Sequence, residues 1–204
     1  MSDGIDHDGL YRLAEAQAGY FTAQQALAVG MDRSTLRHHA RRGGRYERVR
    51  RGLYRLRHFP SSPHEHVVAT WLSLSATTPA VVSHESALEL YDLSDVIPSA
   101  VHISVPRIKR GQRSRPGVRF HTLQQPPAPP EIRPLLGMPV TTPERTIVDS
   151  LQTGTQPEQI ELAVHQALER GLTTPRRLRA AAAERPARVR SLIEHALAEA
   201  TREI

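Results

Sequence analysis

The chain has 204 residues, 39% of them hydrophobic, and a formal net charge of +6 at pH 7. This length allows one large domain or two small ones, and the apolar content is sufficient to bury a core. Cysteine is absent, which excludes disulfides, thiolate catalysis and zinc sites with cysteine ligands.

The N-terminus carries no pattern typical of targeting. Residues 1–8 are polar and acidic, without the apolar stretch of a signal peptide. No run of the sequence approaches the roughly 20 apolar residues of a membrane span. We therefore expect a cytoplasmic protein that does not interact with membranes.

Residues 1–58 are predicted to form an N-terminal domain. A first helix is expected over residues 9–17, capped by Asp8, because apolar side chains recur there at helical spacing. Residues 59–63 contain two prolines, which disfavour regular structure. They are predicted to link the first domain to a second one, residues 64–204.

Two further short helices are predicted, joined by a tight turn. Thr22 and Gln25 have the spacing of a capping box, which starts the second helix. Gly30 ends it, because glycine adopts the left-handed conformation without steric cost. Asp32 then caps a third helix over residues 33–40. This arrangement is typical of a helix-turn-helix, whose second helix enters the major groove of DNA.

A basic hairpin is predicted over residues 46–56. Two β-type segments, YERV and LYRL, flank Arg50, Arg51 and Gly52. A hairpin at this position, directly after the helix pair, is typical of a wing. The N-terminal domain is therefore interpreted as a winged helix-turn-helix.

The charge of this region favours nucleic-acid binding. Residues 33–58 contain ten arginines and a single acid, Glu47, so this segment is more basic than the chain as a whole. A run of like charges is often only a solvated face, and that alternative stays open. Apolar residues at core-like spacing interleave with these arginines, however, and a helix with a wing matches the groove and flanking phosphates of duplex DNA.

The residues expected to contact DNA lie along the third helix, just after it and along the hairpin. They are Arg33, Ser34, Thr35, Arg37, His38, Arg41, Arg48, Arg50, Arg51 and Arg55. We expect the residues of the helix to read base edges, and the arginines of the hairpin to hold phosphates or the minor groove.

The second domain is predicted to be α+β, with a small antiparallel sheet and a helical C-terminal part. The expected strands are residues 80–82, 100–105 and 118–122, and the expected helices are 63–74, 84–90, 143–151, 157–170, 175–184 and 187–200. Arg145 and Asp149 are four residues apart on one of these helices, which predicts an ion pair at the helix surface or partly buried, in preference to a catalytic role.

A basic loop separates the last two of these strands. Residues 106–117 contain no acid, and we expect them to join two antiparallel strands. The loop is either a solvated hairpin tip or a second contact surface for nucleic acid or an acidic protein partner. The basic residues of this candidate partner surface are Arg107, Lys109, Arg110, Arg113 and Arg115.

Sequence motifs of several enzyme classes are missing. The chain has no Glu-x-Lys, no Gly-Lys-Ser/Thr phosphate loop, no Gly-Ser turn of a nucleotidyltransferase and no Gly-x-Ser-x-Gly elbow. His64 and His66 are two positions apart on a predicted helix and face different directions, which does not favour a metal site. We therefore predict a protein that is not an enzyme, with no catalytic residue, metal or cofactor.

With these motifs the chain resembles the AbiEi family of antitoxins, the antitoxin half of type IV toxin–antitoxin pairs in abortive infection. The matching segments, which touch most of residues 8–152, are GYFTAQQALAVGMDRSTLRHHARRG, YERVRRGLYRL, VVSHESALELYDL, VHISVP, VRFHTL and GMPVTTPERTIVDSL. The wing and the PVTTPERTIVD segment are the most specific of these.

The resemblance implies a two-domain bacterial repressor of its own operon. Its winged helix, with recognition helix 33–40 and wing 46–56, would bind operator DNA. The operator would be an inverted repeat, which fits a protein that binds DNA as a dimer. Its C-terminal domain would counter a cognate nucleotidyltransferase-like toxin. A stand-alone winged-helix regulator, or a basic protein-interaction module without a toxin partner, are the alternatives.

Overall fold

The fold is taken from a computed structural model, which describes residues 4–75, 79–106, 115–123 and 126–202. The helices are α1 His7–Ala16, α2 Ala23–Ala28, α3 Arg33–His39, α4 Glu65–Ser75, α5 His84–Tyr91, α6 Pro143–Thr153, α7 Pro157–Glu169, α8 Pro175–Ala182 and α9 Ala187–Arg202. The strands are β1 Tyr20–Thr22, β2 Tyr46–Arg50, β3 Leu53–Leu56, β4 Val81–Val82, β5 Val101–Pro106, β6 Val118–Leu123, β7 Ile132–Leu135 and β8 Met138–Thr141, and a short 3-10 helix covers Pro129–Glu131.

The chain divides into two compact units. The first unit is Met1–Thr78 with Leu136–Met138, and the second is Pro79–Leu135 with Pro139–Ile204. The structure groups α4 with the first unit, on the N-terminal side of this division. The domain boundaries derived from the sequence, at residues 58 and 63, stay a prediction.

The first unit is a winged helix-turn-helix, as the sequence predicts. Its antiparallel sheet has the order β1-β3-β2, and α1, α2 and α3 pack with it around one apolar core. Phe21 lies at the centre, fully buried, with its ring centroid 4.9 Å from that of Tyr46 and 5.7 Å from that of Tyr54. The three-residue strand β1 was not predicted, because it is too short to show an alternating pattern and forms by pairing with β3.

The helix starts of this unit follow the predicted capping chemistry with one correction. The Thr22–Gln25 capping box is present: the Gln25 backbone N–H donates to Thr22 Oγ1 over 3.2 Å, and the Thr22 N–H donates to Gln25 Oε1 over 2.8 Å. Helix α1, however, is capped by Asp6, whose carboxylate accepts from the Gly9 N–H over 2.7 Å. The prediction of Asp8 as the cap was wrong, because α1 begins two residues earlier than expected and Asp8 lies in its first turn.

The second unit has a five-stranded sheet in the order β6-β5-β4-β8-β7. The α+β class is confirmed, but the sheet is mixed: β4 pairs with β5 antiparallel and with β8 parallel. The pair β5 and β6, expected to be antiparallel, is parallel, with Val101 opposite Val118. Alternating burial looks the same for both directions, and the connection between these strands is long enough for a crossover, so the sequence pattern did not decide between them.

Helices α5 to α9 bury the larger apolar core of this unit, which includes Ile147, Ile160, Leu178 and Ile193. A buried polar network lies at its edge. The predicted ion pair of Arg145 and Asp149 is confirmed, with Arg145 Nε donating to Asp149 Oδ2 over 2.7 Å. Both residues are buried, however, and not at the helix surface or partly buried as expected, because α6 packs into the core of this unit.

Asp149 is 2% exposed. Its carboxylate has a second cationic partner. Arg185 Nη2 donates to Asp149 Oδ1 over 2.6 Å. Arg145 Nη1 also donates to both carboxylate oxygens of Glu131, over 2.9 and 3.0 Å. This network therefore ties α6 to the 3-10 helix and to the segment that follows α8.

Candidate nucleic-acid interface

The recognition helix α3 is held at its start by Asp32. The Asp32 carboxylate accepts from the backbone N–H groups of Ser34 and Thr35 over 2.6 and 2.8 Å, and from both of their hydroxyls over 2.8 and 2.9 Å. These hydrogen bonds, led by that from the Thr35 backbone, lower the pKa of the exposed Asp32 carboxyl to about 2. The carboxylate therefore stays charged at the helix N-terminus, where negative charge is favourable.

Helix α3 turns one apolar residue inward and a polar, basic face outward. Leu36 is buried in the core, whereas Arg33, Ser34, Arg37 and His38 are exposed. Thr35 is half-buried, and its hydroxyl, like that of Ser34, donates to Asp32. The arginines and His38 are thus the side chains of α3 most available to a ligand outside the helix.

The wing is formed by β2, β3 and the turn between them. Gly52 has φ +78° in this turn, a conformation that glycine adopts without strain. The register shifts between Arg48 and Arg50, which marks a bulge in β2. Arg48, Arg50 and Arg51 are exposed, so the wing carries three guanidinium groups at its surface, of which that of Arg50 also donates to Ser73 Oγ over 3.5 Å. Arg41, just after α3, is exposed as well.

Arg55 differs from the other predicted DNA contacts, because its side chain is only 15% exposed and has partners within the first unit. Its Nη2 donates to Glu65 Oε2 over 3.1 Å and to the Pro60 carbonyl over 3.2 Å. The guanidinium also lies 5.5 Å from the ring centroid of Tyr20, within the range of a cation–π contact. The side chain of Arg55 thereby connects β3 to α4 and β1.

Arg57, which sequence reasoning did not single out, lies just beyond β3 and is half-buried. Its guanidinium donates to three backbone carbonyls, those of Arg41 and Gly44 between α3 and β2 and that of Tyr46 at the start of β2. No signal in the sequence separates it from the nine other arginines of residues 33–58, since its partners are main-chain atoms of any residue type.

The predicted partner surface in the basic loop is described at one position only. Arg107, Lys109, Arg110 and Arg113 lie outside the described residues. Arg115 is exposed and forms an isolated β-bridge with Val118.

A cluster of three histidines in the second unit was not predicted either. The rings of His84 and His121 stack with centroids 3.5 Å apart, and His121 Nε2 lies 3.3 Å from His102 Nδ1. His84 Nδ1 is 2.8 Å from Ser83 Oγ, and His102 Nε2 is 3.7 Å from Glu85 Oε2. These residues are far apart in sequence, so only the pairing of β5 with β6 and the position of α5 bring them together.

Burial keeps these histidines neutral. It lowers the pKa of His84 to about 2 and that of His121 to about 4, and the neighbouring histidines and Arg119 act in the same direction. Burial also lowers the pKa of His102, against the opposing effect of Glu85. Within the part of the chain that the structure describes, no group of three or more His, Asp or Glu side chains has an arrangement that could hold a metal ion. The cluster is therefore read as a buried hydrogen-bonded and stacked group.

The capped helix pair, the three-stranded sheet and the basic wing define a protein of the winged helix-turn-helix class. Residues 10–57 match the model of the family described as "Transcriptional regulator, AbiEi antitoxin". This match confirms the AbiEi-type resemblance over the winged helix. The description of the family is that of an antitoxin regulator of transcription and names no enzymatic activity.

A solved structure supports the fold over nearly the whole chain. The crystal structure of the RV2827C protein from Mycobacterium tuberculosis is similar with a TM-score of 0.52 and 17% sequence identity, covering 97% of this chain and 78% of that chain. At this identity the similarity shows the fold alone. No curated protein matches the sequence. Among the described residues, no helix combines the length and the apolar character that a membrane crossing requires.

Proposed function

We propose that this protein is the antitoxin and transcriptional autorepressor of a type IV toxin–antitoxin operon. Its winged helix binds operator DNA upstream of its own gene, and its second unit counters a cognate nucleotidyltransferase-like toxin. In this role the protein acts in the cytoplasm. The observation that carries the DNA-binding part is the set of exposed basic residues on α3 and on the wing, on a segment that matches a family of transcriptional regulators.

The proposed DNA contacts fall into two groups, those to base edges and those to the DNA backbone. Helix α3 enters the major groove, where Arg33, Arg37 and His38 reach base edges, and bidentate arginine–guanine contacts are the commonest specific ones. Ser34 and Thr35, whose hydroxyls donate to Asp32, contribute through their remaining acceptor lone pairs and, for Thr35, its methyl group.

The proposed backbone contacts lie at the two sides of α3. Arg41, Arg48, Arg50 and Arg51, all exposed, hold phosphates or the minor groove beside the major-groove site. Arg55 is proposed to add positive charge to this surface, although its Nη2 is shared between Glu65 and Pro60. The operator is an inverted repeat, and two protomers bind it with half-sites about 34 Å apart, one helical turn.

The antitoxin part of the proposal rests on the family description and on the sequence resemblance beyond residue 57. The basic loop around Arg115 is proposed as part of the toxin-facing surface. If a nucleotidyltransferase-type reading frame lies next to this gene, co-expression with its product tests the proposal: the chain should restore growth in cells that this product arrests. Continued arrest with full-length chain present would refute the antitoxin role and leave a stand-alone regulator.

Direct binding to DNA is the first test. A labelled duplex from upstream of the gene is titrated with the full chain, in parallel with a scrambled duplex at the same salt concentration. We expect a preference of about 1000-fold or more for the upstream duplex, in the usual range of specific binders. Equal and weak binding to both would mean that the arginines form a general basic surface, and a protein partner would then be the better explanation.

A further inference from the structure

We propose that Arg57 is a positioning residue that sets the wing relative to the recognition helix. It would determine affinity for the operator without touching DNA. This inference rests on the proposed function of the winged helix, and it concerns a residue outside the predicted set of DNA contacts.

The guanidinium of Arg57 bridges the connection between α3 and β2. Its Nε donates to the Gly44 carbonyl over 2.5 Å, and its Nη2 donates to the carbonyls of Arg41 and Tyr46 over 3.2 and 3.1 Å. The backbone N–H of Arg57 donates in addition to the Arg45 carbonyl over 3.0 Å. One residue at the end of β3 thus holds four carbonyls of the segment that leads from the recognition helix into the wing.

This segment needs such support because its two glycines allow the unfolded backbone many conformations. Gly43 has φ +79°, in the left-handed region. At Gly44 a Cβ atom would collide with the His39 carbonyl oxygen, so only glycine fits. Glycines lose more conformational freedom on folding than other residues. The backbone bond within this turn, from the Gly44 N–H to the Arg41 carbonyl over 2.9 Å, is therefore reinforced from outside by Arg57.

Arginine suits this task for a geometric reason. The guanidinium presents several N–H donors in a rigid planar fork and keeps its charge at all accessible pH values, whereas lysine offers a single flexible nitrogen. Two of the three guanidinium nitrogens of Arg57 are committed to main-chain oxygens. Arg51, at the tip of the wing, is the matched control, because its side chain is exposed.

Salt dependence distinguishes positioning from phosphate contact. Each neutralised phosphate adds about 0.9 to the slope of log K against log salt concentration. We expect Arg57→Ala to lower affinity for the upstream duplex at least about tenfold with an unchanged slope, and Arg57→Lys not to restore it. Arg51→Ala should weaken binding and reduce the slope by about 0.9. A slope reduced by about 0.9 in Arg57→Ala, with affinity restored in Arg57→Lys, would overturn the proposal.

Amide hydrogen exchange tests the same idea without DNA. In the full chain, Arg57→Ala should speed exchange at the Gly44 N–H at least about tenfold and leave the amides of α1 unchanged. Unchanged exchange at Gly44 would overturn the inference whether or not the protein binds the duplex. Faster exchange in a protein that binds no duplex would refute the proposed function and, with it, the role of Arg57 in operator affinity, but would leave the support of the turn by Arg57 in place. If Arg57→Ala does not fold, Arg57→Lys carries both measurements, because it keeps the charge and removes the fork.

Discussion

The arginines of the first unit fall into two groups by their hydrogen-bond partners. Arg37 on α3 and Arg51 on the wing are exposed, whereas Arg55 and Arg57 donate to carbonyls or a carboxylate of the same unit. The residue type is the same, and its surroundings separate side chains that are open to solvent from side chains that hydrogen-bond within the fold. Substitutions in the two groups should therefore differ in kind.

Among the exposed arginines, the proposed roles in base reading and in phosphate binding can be tested separately. If Arg37 reads a guanine, Arg37→Ala should cost about 1–3 kcal/mol on the upstream duplex and much less on a scrambled one. Arg51→Ala should weaken both duplexes alike, because phosphates carry no sequence information. Fluorescence-anisotropy titrations of both variants with both duplexes measure these losses of affinity. Equal losses for both variants on both duplexes would show that this division of roles is wrong.

The ion pair of Arg145 with Asp149 allows a prediction about stability. Asp149 is 2% exposed, and burial raises the pKa of its carboxyl against the two guanidinium groups that lower it. Arg145→Ala removes one of these and should cost about 3–5 kcal/mol of unfolding free energy, the usual effect of breaking a buried pair. Urea unfolding followed by circular dichroism measures it.

Arg179 provides the control for this substitution. It pairs with Glu194 over 2.9 Å, but both side chains are 54% exposed. Arg179→Ala should therefore cost less than about 1 kcal/mol. Similar losses in Arg145→Ala and Arg179→Ala would contradict the importance that we assign to burial.

At the scale of elements, we propose that α3 and the wing contact DNA together. If about five phosphates are neutralised per protomer, log K should fall with log salt concentration with a slope near −4.5. Titrations with the upstream duplex between about 50 and 200 mM salt measure this slope. An affinity independent of salt would exclude phosphate contacts by the wing and, with them, the electrostatic part of the proposal.

At the scale of the second unit as a whole, the buried histidines couple folding to pH. The unfolded chain binds protons at histidine near pH 6.5, whereas burial holds the pKa of His121 at about 4 and that of His84 at about 2. Between these values the unfolded state binds more protons than the folded state. The unfolding free energy should therefore fall as pH drops below about 6.5, by up to about 1.4 kcal/mol per pH unit for each histidine.

Urea unfolding at a series of pH values tests this linkage. Circular dichroism at 222 nm follows mainly α5 to α9 of the second unit, whereas the fluorescence of Trp71, on α4, follows the first. His121→Gln should lower the slope of stability against pH between pH 4 and 6.5, and His195→Gln, at a side chain 58% exposed, should leave it unchanged. A wild-type profile flat from pH 7 to pH 4.5 would contradict the linkage.

Features that depend on neighbours in the chain could be predicted from the amino-acid sequence. The Thr22–Gln25 capping box, the cap at Asp32 and the turn at Gly30 each involve residues no more than three positions apart, so they could be predicted, as could the wing and its charge. The pair of Arg145 and Asp149, one helical turn apart, could be predicted for the same reason.

Contacts between residues far apart in the chain became known from the three-dimensional fold. The parallel pairing of β5 with β6, the stacking of His84 on His121 and the carbonyls held by Arg57 join segments from 11 to 37 residues apart. Burial also changes the pKa of a histidine. The ordinary pKa is the same at every position of the chain, and it shifts when folding changes the solvation of the ring. Direction of pairing, solvation and long-range contact depend on packing, and local sequence patterns carry little information about packing.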